Sequence, residues 1–151
     1  MEYKHKLENL MILAKPYATP ARFFLTEDSD GWTDGYIADL TNLNTATMQA
    51  KAVIKGIVQD QKPKIKPLIP DGSHVVENIA LDLSDNMAIL YNRTMAVKVN
   101  PSYLKFFDNA YKKMGGIREL IVTAPDKPVK VMVADENELV GLIMPVRTAN
   151  Q

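Results

Sequence analysis

The side chains able to do chemistry are few in this 151-residue sequence, and their types and spacing exclude most reactions. There is no cysteine, which removes thiol nucleophiles, disulfides and thiolate metal sites. The two histidines, His5 and His74, stand far apart, with no triad or metal-ligand partner at a recognisable spacing. Asp28, Asp30 and Asp34 faintly resemble a calcium loop, but the ligand pattern and closing glutamate of an EF-hand are missing, so turn chemistry explains them better. No Walker loop and no dinucleotide-binding glycine fingerprint occurs. The sequence therefore points away from an enzyme and requires neither cofactor nor metal. What remains are groups suited to binding: lysines at helical spacing, and an apolar run that ends in proline.

The lysines cannot act through bulk charge. Lysine plus arginine number 18 and aspartate plus glutamate also 18, so the molecule exerts no long-range pull on a polyanion, and any nucleic-acid contact must come from local placement. With 46% hydrophobic and 24% charged residues, the composition is that of an ordinary globular protein, and a chain of this length is expected to form one domain, residues 1–151, with one core. The longest apolar run, 139–146, falls far short of the ~20 residues that span a bilayer, and no signal peptide is recognised. The expectation is a cytoplasmic protein without a membrane partner.

The elements that would position these groups follow from periodicity and punctuation. Residues 2–15 carry Leu7, Leu10, Met11 and Ala14 at helical spacing and are stopped by Pro16. Residues 21–27 read as a strand, 28–31 as a turn, and both 32–40 and 45–58 as extended, the last because Met48, Ala50, Ala52 and Ile54 alternate with their neighbours. The proline- and lysine-rich run 59–72 can supply little ladder hydrogen bonding and reads as a crossing loop. Strands are expected over 74–83, 87–91 and 94–99. Asn100 and Pro101 then open a helix that Gly115 and Gly116 end, with Tyr103, Leu104, Phe107, Ala110, Tyr111 and Met114 on its apolar face. Lys105, Asn109 and Lys112 lie opposite, with Lys113 beside them. Strands over 117–124, 129–134 and 139–146 follow, joined by turns at 125–128 and 135–138, and the last four residues are expected to fray. Residues 1–58 and 96–147 thus both run helix, strand, strand, strand, which predicts two pseudo-repeated units in an α+β fold, their helices on one side of antiparallel sheets.

At this level the second half resembles the last domain of the bacterial DNA polymerase III β sliding clamp. The likeness rests on Val99-Asn100-Pro101-Ser102-Tyr103-Leu104 opening a helix and on Gly141-Leu142-Ile143-Met144-Pro145-Val146-Arg147 closing the sheet, and it covers residues 95–147. In the first half, residues 35–42 look like a clamp-domain strand, and Thr33-Asp34-Gly35-Tyr36 can be aligned to another clamp motif instead. The family's chains hold about three such domains and this one has room for one.

The resemblance implies a DNA-clamp-like domain and a non-enzymatic processivity factor of the kind a phage or mobile element carries, with about six copies forming a homo-oligomeric ring on duplex DNA. The inner face would use cations that slide along phosphates without reading bases. Lys105, Asn109, Lys112 and Lys113 fit that role, with Lys4, Lys6 and Lys15 from the first helix. A merely solvated helix face explains the same lysines, since Asp108, Glu2 and Glu8 share these helices. The resemblance also implies a hydrophobic pocket for short peptides of a DNA polymerase or other clamp-binding proteins, at Leu142, Ile143, Met144, Pro145 and Val146. The alternative for these residues is a last core strand. The alternative for the whole chain is a clamp-fold protein-binding or regulatory module, or a structural assembly protein, without DNA binding.

Overall fold

A computed structural model describes residues 3–134 and 138–146 of the chain. The expected turn at 135–138 falls mostly outside these residues, as do Arg147 of the closing motif and the segment 148–151. The described chain is mixed α+β, with antiparallel sheets. Its elements are helix α1 (Lys4–Leu13), strands β1 (Phe24–Leu25), β2 (Trp32–Thr33) and β3 (Ile37–Asp39), helix α2 (Thr45–Lys55), strands β4 (His74–Val75), β5 (Asn78–Asp82), β6 (Met87–Tyr91) and β7 (Ala96–Val99), helix α3 (Pro101–Ala110), and strands β8 (Ile117–Val122), β9 (Val129–Val133) and β10 (Leu139–Ile143). Short 3-10 turns occupy Lys66–Leu68 and Lys112–Met114. No helix among the described residues is long and apolar enough to cross a membrane.

Seven strands form one sheet in the order β1-β2-β3-β10-β9-β8-β4, and β5-β6-β7 form a second. The first three strands and the last three therefore meet at β3 and β10, which pair antiparallel with Leu142 opposite Ala38 and Gly141 opposite Asp39. Because side chains alternate across a strand, the registers sort the large sheet into two faces. One row, Leu120, Val131, Gly141, Asp39, Trp32 and Leu25, looks toward the helices. The next row, Val75, Ile121, Lys130, Leu142, Ala38, Thr33 and Phe24, looks the other way.

The helix-side row belongs to the main core. Leu7, Leu10 and Met11 of α1 and Leu104 and Phe107 of α3 pack there, together with Ile79, Leu90 and Val97 of the small sheet. The two helices lie side by side: Lys105 Nζ donates to the Ala14 carbonyl at 3.0 Å, and Lys4 Nζ lies 3.6 Å from Asp108. As its sequence predicts, α3 begins with the Asn100 side chain accepting from the Ser102 amide at 2.9 Å and Pro101 in its first turn. Gly115 and Gly116, with φ of 93° and 73°, end the run after the short 3-10 turn.

Three expectations are corrected. Residues 45–55 are helical, not extended: Ala46, Met48, Gln49, Ala50, Lys51 and Ala52 are good helix formers, and Gly56 at φ 70° supplies a left-handed stop. The period-2 alternation there was coincidental, since only Ala52 of this helix is buried. Residues 32–40 fold into a hairpin, because Asp34 Oδ1 accepts from the amides of Tyr36 and Ile37 and Gly35 turns at φ 96°. Residues 74–83 divide between the sheets, the Val76 amide bonding Leu120 and the Glu77 amide bonding Tyr91.

Helix α3 sits on the β3–β10 joint because Gly141 leaves room for it. A Cβ at this position would lie 2.2 and 2.3 Å from two carbons of the Phe107 ring. Gly141→Ala therefore forces the ring or the helix outward and is expected to cost about 2–3 kcal/mol, read as a lower urea midpoint at unchanged m-value.

Candidate functional site

The candidate site lies on the face of the sheet away from the helices. There the β3–β10 pair presents Ala38 and Leu142, both buried, and around them a pocket of about 250 Å³ opens between Phe24, Tyr36, Pro128 and Met144. Its lining is almost wholly apolar. Tyr36 is 60% exposed and stands at the rim as an aromatic with a polar tip. The Met144 amide donates to the Tyr36 carbonyl at 2.8 Å, which fixes the distance between these two walls.

The third wall is the proline-rich segment, which packs on this face of the sheet. Pro63, Ile65 and Leu68 line the pocket, and Ile65, 4% exposed, is planted against Ala38 and Leu142 with Leu40 and Ile69 alongside. Two contacts from the turn after β1 hold the segment. The Glu27 amide donates to the Pro63 carbonyl at 3.0 Å, and the Asp28 carboxylate accepts from the amides of Ile65 at 2.8 Å and Lys66 at 2.9 Å. The Ile65 amide, and after it the Lys66 amide, hold the Asp28 carboxyl below the ordinary carboxylate range. Asp28 thus serves as an anchor for the wall, and Asp34 as the brace of the β2–β3 turn. Among the described residues, no group of three or more histidine, cysteine or acidic side chains is placed to hold a metal ion.

Of the five pocket residues named from sequence, Leu142 and Met144 line the cavity. Ile143 does not: strand alternation turns it into the main core, where it is fully buried. Pro145 and Val146 lie beyond the lining, because the chain leaves the sheet after Met144 and the Val146 amide bonds the Lys98 carbonyl of β7 at 2.8 Å. Phe24, Tyr36, Ala38, Ile65 and Leu68 escaped the sequence reading. Only the proline-rich run 59–72 carried a signal, as a crossing loop that can supply little ladder hydrogen bonding.

The lysines of the helix side are only partly free. Lys4 donates to the Ile117 carbonyl at 3.0 Å, Lys6 to Asn78 at 3.2 Å and Lys105 to Ala14, so three of the named cations have internal partners. Lys15, Asn109, Lys112 and Lys113 are exposed. Lys112 and Lys113 lie on the 3-10 turn after α3 rather than on its face. A shallow groove of about 390 Å³ between α2 and α3 brings Lys105 and Asn109 together with Lys51, which the sequence reading did not single out. Behind α3, the buried Asp39 carboxylate accepts from the Tyr111 hydroxyl at 2.6 Å and from the Thr41 amide at 3.2 Å. Burial raises the Asp39 pKa, and burial together with the Asp39 charge raises that of Tyr111.

Compared with models of known families, with curated proteins and with solved structures, the chain matches none.

Asp28 couples the pocket wall to pH. A carboxyl depressed in the folded state stabilises above its unfolded pKa, and that contribution is lost as pH falls through the folded value. The protection factors of the Ile65 and Lys66 amides are therefore expected to drop below the ordinary carboxylate range, ahead of those of β9. In Asp28→Ala they should be low at every pH. Hydrogen exchange followed by NMR reads both effects.

Proposed function

We propose that this chain is a non-enzymatic protein-binding module built on a clamp-like domain, and that it takes a short apolar peptide in the pocket formed by Phe24, Tyr36, Ala38, Leu142 and Met144. The observation that carries the reading is that pocket: a concave apolar surface with an exposed aromatic and a methionine at its rim. Such surfaces adapt to varied apolar side chains at small conformational cost. The clamp-like part is supported by the chain order, in which α1 precedes β1, β2 and β3 as α3 precedes β8, β9 and β10, and by the joining of the two sets at their last strands. In this reading the two sets are pseudo-repeats, with α1 and α3 as the equivalent helices. The additional helix α2 is a departure from that plan.

A second reading, a homo-oligomeric sliding clamp on duplex DNA that tethers a polymerase through the same pocket, draws on the adjacency of α1 and α3 and on the exposed Lys15, Asn109, Lys112 and Lys113. It ranks below the first because Lys4, Lys6 and Lys105 are engaged internally. Light scattering and retention on nicked circular DNA separate the two: a ring-sized oligomer released by linearising the circle supports the clamp, and a monomer that ignores DNA removes it.

For the peptide reading, binding of fluorescein-labelled apolar peptides selected on the intact chain is expected to weaken at least tenfold in Met144→Asp, which puts a charge on the pocket wall. Tyr36→Ala should weaken it by several-fold, through loss of the rim aromatic. Affinity unchanged in both variants would remove the pocket from the function.

A further inference from the structure

The pocket is apolar, but its surroundings are cationic. The outward row of the sheet that carries Ala38 and Leu142 has Lys130 next to Leu142 on β9. At the other end it has Phe24 of β1, and the Arg22 guanidinium lies over that ring, 5.9 Å from its centroid. The crossing segment adds Lys62 and Lys64, both exposed, on either side of Pro63. Among the described residues, none of these four cations stands in an ion pair. Exposed carboxylates stand among them, Glu27, Asp60 and Asp126, and Asp28 is engaged by two backbone amides, but Lys66 and Lys127 are exposed there as well, so cations are in excess. A molecule with no net formal charge thus sets a local positive rim around its apolar pocket.

The spacing of that rim constrains the ligand. Strands β9 and β1 are separated by β10, β3 and β2, so Lys130 and the Phe24–Arg22 pair lie about 19 Å apart at ordinary strand spacing. An extended peptide of about six residues covers the same distance. The chain's own segment shows that such a stretch can lie on this face, for Pro63, Ile65 and Leu68 line the pocket and Ile65 packs against Ala38 and Leu142.

Resting on the peptide-pocket reading, we propose that the partner is an acidic linear peptide: an apolar centre of two to four residues that fills the pocket beside Ile65, flanked on each side by an aspartate or glutamate that meets Lys130 at one end and Arg22 at the other, with Lys62 and Lys64 along its length. The apolar centre supplies the affinity. The flanking charges orient the peptide and select against basic sequences, as complementary rims do at exposed interfaces.

The test is to pan a displayed library of random seven-residue peptides against the full chain, and in parallel against R22E/K130E and M144D, and to titrate the resynthesised winners by fluorescence anisotropy. Arg22 is exposed, Lys130 is partly exposed, and neither side chain makes a hydrogen bond or ion pair among the described residues, so the charge-reversed chain should keep the melting curve of the wild type. The expected result is wild-type winners with acidic residues on both sides of an apolar centre. Their affinity should fall roughly three- to thirtyfold in R22E/K130E, as two exposed ion pairs allow, and should weaken with added salt. R22E/K130E should itself select basic flanks. Winners with no acidic bias, whose affinity survives R22E/K130E but is lost in M144D, would overturn the acidic partner and leave the pocket standing. Winners indifferent to M144D as well would remove the pocket itself.

Discussion

Everything in this fold hangs on the pairing of β3 with β10, and that pairing depends on a missing side chain. Gly141 stands opposite Asp39 in the helix-facing row, and the space above it is filled by the Phe107 ring. One turn further along, Tyr111 donates its hydroxyl to Asp39. A fully buried carboxylate is costly unless its oxygens are satisfied, and here a tyrosine, a backbone amide and the Thr41 hydroxyl do so. The result is directional. Helix α3 is seated against one place on the sheet, with an aromatic contact and a charge-assisted hydrogen bond that agree on where it lies.

The pocket is the other side of the same pair. With Gly141 and Asp39 turned toward α3, alternation puts Leu142 and Ala38 on the opposite face, where they would be left as bare apolar surface. The proline-rich segment covers part of it with Ile65 and leaves the remainder open beside Tyr36 and Met144. Core and site are therefore two consequences of one register. A shift by a single residue would send Leu142 to the helices and Gly141 to the pocket, and both would fail together.

How much of this was legible in the sequence follows from where the signals were local. The start of α3 was readable because Asn100, Pro101 and the double glycine act on their own backbone. The order and type of the last three strands were readable for a similar reason, as apolar runs separated by turn residues. Helix α2 was misread because alternation and helical propensity conflict over residues 45–55, and a helix that buries only Ala52 prints no apolar stripe to decide between them. The site was half legible. Leu142 and Met144 were named only through the sliding-clamp resemblance of the closing strand, and alternation, applied strictly, would have excluded Ile143. The partners of Leu142 come from strand pairings some hundred residues away in sequence, which no local pattern records. The cationic rim was invisible for the same reason, since Arg22, Lys64 and Lys130 are brought to one face of the sheet only by the fold.

The strand order has a consequence for how the molecule is made. The middle of the large sheet is occupied by β10, the last strand in sequence, with the first three strands on one side of it and β9, β8 and β4 on the other. During synthesis β1, β2 and β3 emerge as a hairpin-sized fragment whose exposed edge has no partner until β10, about a hundred residues later, has been made. A truncated product lacks the keystone rather than a margin. The long wait before closure predicts a slow, all-or-none final step, and a chain that has not reached β10 lacks the Leu142 wall of the pocket.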